Sequence, residues 1–96
     1  MKNKYKGSSV EAFFEEEGLL EELQAKAIKK VISYALINAM DEMHLSKSAM
    51  AIKLHTSRSA LDRLLDPDNM SVTLASLIKA SSVLGKRIQI SLEDAV

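Results

Sequence analysis

Between residues 45 and 65 the chain reads LSKSAMAIKLHTSRSALDRLL. Hydroxyl and cationic side chains gather twice in this stretch. Ser46 and Lys47 form one group, and Thr56, Ser57, Arg58 and Ser59 form another, with Asp62 and Arg63 one turn further on. Guanidinium and ammonium groups carry lasting charge and several donors. The chemistry on offer is therefore charge-assisted hydrogen bonding to an anionic partner rather than bond cleavage. Lys47, Lys53, Arg58 and Arg63 against Asp62 leave this segment at +3, in a chain whose 13 Lys+Arg and 13 Asp+Glu cancel. Acidic charge collects instead at Glu11, Glu15, Glu16, Glu17, Glu21 and Glu22. A zero total thus conceals a basic face and an acidic end.

Other chemistries find little support. There is no cysteine, which excludes disulfides, thiol nucleophiles and Cys-based zinc sites. The histidines, His44 and His55, stand eleven residues apart and match no ligand spacing. The serines sit at helix caps and turns, without a histidine that could serve as base. No enzyme activity, metal or cofactor is expected. Met40, Met43 and Met50 recur at helical spacing and read as core filler.

The elements that must position the basic face fit in one domain of 96 residues, 47% of them apolar. No run of about 18 apolar residues occurs, and the basic Met1–Lys6 start is followed by an acidic segment where a signal peptide needs an apolar one. A cytoplasmic location is expected. Residues 1–7 read as a flexible basic tail. Ser8 and Glu11 form a capping box for a short helix over 9–17, docked through Phe13 and Phe14 and ended by Gly18. A breaker-free helix follows from Leu19 to about Met43. It carries two apolar stripes, one through Leu20, Leu23, Ala27, Val31 and Tyr34, the other through Ile28, Ile32, Leu36, Ala39, Met40 and Met43. A surface helix needs only one, so the middle of this helix is expected to be covered on more than one side, within the domain or by another subunit.

Ser46 caps a helix over 47–54, His55-Thr56-Ser57 makes a turn, and Ser57 caps a helix over 58–65 that stops before Pro67. Thr73 caps a further helix over 74–84, closed by Gly85. Beyond it, Ile88, Ile90 and Leu92 alternate with Arg87, Gln89 and Ser91, which predicts one β-strand over 87–92. A lone strand needs a partner, either the same strand of a second copy or an edge of another protein. The predicted fold class is all-α, a compact bundle of about five helices with one C-terminal β-strand. The domain spans 8–92, with 93–96 as a tail.

Two short capped helices joined by a three-residue turn make a helix-turn-helix over 46–65. Ala51 leaves room for close approach, Met50, Leu54, Leu61 and Leu64 close a shared core, and Arg58, Ser59, Asp62 and Arg63 point outward. Together with GLLEE at 18–22, SRSALDRLLDP at 57–67 and SVTL at 71–74, this segment resembles the Xre-type, phage-repressor-like helix-turn-helix family. Its nearest likeness is a compact bacterial subgroup of small regulators and antitoxins of the HigA kind. The resemblance implies a dimeric, sequence-specific repressor of double-stranded operator DNA, with a small toxin protein as a further partner. An interaction module that neutralises a toxin with little DNA binding of its own is the alternative.

The resemblance also assigns roles. Residues 58–65 become the recognition helix, with Arg58, Ser59 and Arg63 facing base edges, while Ser46, Lys47, Thr56 and Ser57 hold phosphates. Asp62 either pairs with Arg58 along the helix or accepts from a cytosine amino group. The sequence departs from the family pattern at His55, in a turn position that is most often glycine, and at Ala49, which replaces a polar residue.

Overall fold

The computed structural model describes the backbone of residues 8–95 and the side chains from residue 18 onward. The expected tail at 1–7, the Ser8–Glu11 capping box and the docking of Phe13 and Phe14 lie outside the described residues. Among the described residues four helices follow one another: α1 (Ser8–Glu42), α2 (Lys47–Leu54), α3 (Arg58–Leu65) and α4 (Leu74–Val83).

Two expectations are corrected. The five helices are four, because 9–17 and 19–43 are one helix of 35 residues that runs through Gly18 without a break. A glycine ends a helix by turning left-handed, and nothing around Gly18 requires a turn, since among the described residues no atom outside its own stretch of helix lies within 4 Å of where its Cβ would be. Stopping there would orphan four carbonyls, whereas continuing costs only about 1 kcal/mol for glycine in a helix. The β-strand over 87–92 is absent, and no strand occurs among the described residues. The alternation is real, but a strand exists only when its N–H and C=O groups enter a ladder, and the described residues supply no second strand. Ile88 packs against the core while Ile90 and Leu92 stay exposed.

The core lies where the second half of α1 meets the other three helices. It comprises Leu36, Ala39 and Met40 of α1, Met50, Ala51 and Leu54 of α2, Leu61, Leu64 and Leu65 of α3, and Leu77, Ala80 and Leu84 at α4. Met50 and Leu61 are wholly enclosed, each such side chain contributing about 1.5–3 kcal/mol. At α4 Leu77, Ala80, Ser81 and Leu84 are buried, while Leu74 and Ile78 are exposed.

Of the two coverings expected for α1, the one within the domain is incomplete. Among its described side chains only one line, Lys29, Ser33, Leu36 and Met40 with Ala39, is buried, and residues 18–28 are exposed on every side. Within this chain α1 is therefore not a central helix. At 1.5 Å per residue it is about 52 Å long, which accounts for the 56 Å long axis of the molecule. The radius of gyration, 17.9 Å, exceeds the ~12 Å of a compact domain of this length, because the first half of α1 projects from the bundle.

Candidate nucleic-acid interface

Local chemistry sets the two short helices. The Ser46 Oγ accepts from the Ala49 N–H at 3.1 Å and the Ser57 Oγ from the Ala60 N–H at 3.0 Å. Each hydroxyl keeps its own proton for a further acceptor. The turn between the helices depends on His55, at φ 54 and ψ 47. That left-handed geometry lets the Thr56 N–H reach the Ala51 carbonyl at 3.0 Å. Histidine tolerates it at a modest cost relative to glycine, so the turn forms without a glycine. His44 does the same at the end of α1, with φ 53 and the Leu45 N–H donating to Met40 O at 2.9 Å.

On α3 the division between faces is sharp. Leu61, Leu64 and Leu65 are buried, and Arg58, Ser59, Asp62 and Arg63 are exposed together on the opposite side. Of the residues assigned to phosphates, Ser46, Lys47 and Ser57 are exposed and Thr56 is half-buried in the turn. Ser46 and Lys47 open α2, and Ser57 and Arg58 open α3, where unpaired N–H groups and the positive helix end favour anions.

Asp62 organises this surface. Its carboxylate lies 3.2 Å from the Lys47 Nζ across the two helices and 4.0 Å from the Arg58 Nε within α3. The intrahelical pairing with Arg58 is thus present, and the closer Lys47 contact was not foreseen. Both pairs are about half exposed, so each is worth a few tenths of a kcal/mol and yields readily to a stronger anion. Arg63 makes no ion pair with the described residues.

Sequence reasoning missed the group that holds α3 from behind. Lys29 is 4% exposed, and its ammonium donates to the carbonyls of Asp66 at 2.7 Å, Leu64 at 3.2 Å and Arg63 at 3.3 Å, and to the Ser33 Oγ at 2.9 Å. Ser33, wholly buried, donates in turn to the Leu64 carbonyl at 3.0 Å. The last carbonyls of a helix lack partners and carry negative partial charge, so a cation placed among them both satisfies and neutralises the C-terminus of α3. Burial pushes the Lys29 pKa below 10.5, against the opposing pull of the Asp66 and Asp68 carboxylates. The available signal was phase: Lys29 and Ser33 are four apart and continue the line to Leu36 and Met40.

The arrangement offers a polar, cationic ridge on a short helix that is capped in front and anchored behind. Among the described residues no cluster of His, Asp or Glu could hold a metal ion, and no helix is long and apolar enough to cross a membrane. Comparison with known proteins finds no matching family model, no matching curated protein and no matching solved structure.

Proposed function

We propose that the protein is a sequence-specific double-stranded DNA-binding regulator, acting as a homodimer with α3 as recognition helix. The observation that carries this reading is the two-sided α3, with Arg58, Ser59, Asp62 and Arg63 outward and three leucines sunk beneath them. Arg58 and Arg63 are the residues suited to bidentate donation to guanine O6 and N7, and Ser59 to a smaller polar contact. Lys47, Ser46, Ser57 and the half-buried Thr56 lie around the helix N-termini, where phosphate oxygens are best received. On DNA, Lys47 exchanges its weak Asp62 pair for a phosphate, which leaves Asp62 to orient Arg58.

The test begins with selection of a binding site from a random DNA pool. Against that site Arg58→Ala and Arg63→Ala are each expected to cost about 1–3 kcal/mol and to relax preference at one base pair. Lys26→Ala, on the projecting part of α1, should bind like the parent. Enrichment of no sequence, or loss of binding only with the Lys26 variant, overturns the assignment of α3.

The resemblance to Xre-type repressors rests on the quoted motifs, and it adds repression of the protein's own operon and neutralisation of a small toxin. Co-expression with the product of the adjacent gene checks this addition. A toxic neighbour that is silenced and co-purifies supports it, and a harmless neighbour that does not bind leaves regulation alone.

A further inference from the structure

We propose that Asp62 is a specificity determinant of α3, holding Lys47 and Arg58 back from DNA of the wrong sequence. The proposal rests on the DNA-binding reading above and concerns the same surface.

An acid has the wrong sign for a phosphate-facing ridge. Asp62 is nevertheless the only acidic residue between 45 and 65. Its half-exposed carboxylate stands with Arg58, Ser59 and Arg63 on the outward face of α3. The helix itself does not need this side chain. Ser57 and Asp66 cap α3, and the bond from the Asp66 N–H to the Asp62 carbonyl, at 2.9 Å, is made by the main chain.

One oxygen serves two cations. The same Oδ1 lies 3.2 Å from the Lys47 Nζ and 4.0 Å from the Arg58 Nε. Lys47 opens α2 and Arg58 opens α3, so a single carboxylate meets the cations at both helix starts.

Binding to DNA of arbitrary sequence is driven almost wholly by cation–phosphate pairs. There both contacts must open, and Asp62 is left unpaired beside phosphates. The selected site asks less. Arg58 meets Asp62 through Nε, which leaves its terminal nitrogens to donate to guanine O6 and N7. Only Lys47 then changes partner, and Asp62 keeps Arg58 aligned with the base. The carboxylate costs affinity on every sequence, and it costs least on the right one. Specificity is a difference of affinities, so a penalty that falls on competitors sharpens it.

The experiment uses the full chain, the selected duplex and a scrambled duplex of equal length, with fluorescence anisotropy over a salt series. Asp62→Asn keeps the shape and removes the charge. Glu22→Gln, on the projecting part of α1, is the matched control: it frees a lysine too, Lys26 at 3.7 Å, and changes net charge equally. Asp62→Asn should bind the scrambled duplex about three- to ten-fold tighter, with a salt slope steeper by about 1. On the selected duplex it should gain less. Adding Lys47→Ala should cancel the extra slope. Unchanged or weaker binding of Asp62→Asn to the scrambled duplex overturns the proposal, as does an equal gain from Glu22→Gln. A loss confined to the selected duplex, with altered preference at one base pair, gives Asp62 to a cytosine and overturns it too. In all three cases the parent still discriminates, and the DNA-binding reading stands. A parent for which no duplex is selected sinks the reading and the proposal together.

Discussion

Lys29 exchanges water for three main-chain carbonyls and a serine hydroxyl, and removing it takes the donor from the Arg63 carbonyl and the Ser33 hydroxyl oxygen, while Leu64 keeps Ser33 and Asp66 keeps the Asn69 N–H. Lys29→Met, close in length, is expected to lower unfolding free energy by about 2–4 kcal/mol, since each unsatisfied buried group costs about 1–3. Chemical denaturation would measure it. The pH dependence has a definite sign. With a folded pKa below the unfolded 10.5, the unfolded chain binds more protons between the two values, so stability rises with pH there. That contribution is complete above 10.5 and is lost as pH falls through the lowered value. The gap between parent and Lys29→Met should therefore widen on going alkaline, and a flat gap would contradict the burial argument. Residue types alone picked out Arg58, Ser59 and Arg63, because polar groups between buried leucines can only face outward. Lys29 escaped notice because a lysine in a helix is ordinarily solvated.

At the scale of elements, α2, α3 and α4 begin where their capping hydroxyls predict, at Ser46, Ser57 and Thr73. A cap is a contact over three residues, so sequence contains it whole. Gly18 had no such local answer. Its exposed place inside α1 predicts that Gly18→Ala raises helix content, by up to about 1 kcal/mol in local helix stability. The melting temperature should move little, because this stretch opens without unfolding the bundle. Circular dichroism together with amide exchange would show the separation, and a drop in helicity would mean that Gly18 does end a helix.

For the whole molecule the C-terminal segment is the informative part. Ile88 is packed on the core, while residues 89–95 are exposed and form no ladder among the described residues. Truncation after Gln89 is expected to change unfolding free energy by less than about 0.5 kcal/mol. A large loss would restore a structural role for the alternating stretch. The dimension that matters more is α1, which reaches well beyond the bundle it serves and leaves Leu20, Leu23, Val31 and Tyr34 exposed.

Caps, turns and the two-faced pattern of α3 follow from sequence, because each depends on residues within one or two helical turns of each other. Sequence also revealed that α1 carries two apolar lines, though it could not say which would be buried. Tertiary structure decided that. Lys29 and Ser33 join the buried side because the C-terminus of α3, more than 30 residues away in the chain, needs donors. The 87–92 alternation stays a non-strand for the corresponding reason: a ladder needs a second strand, and a pattern within one segment cannot supply it.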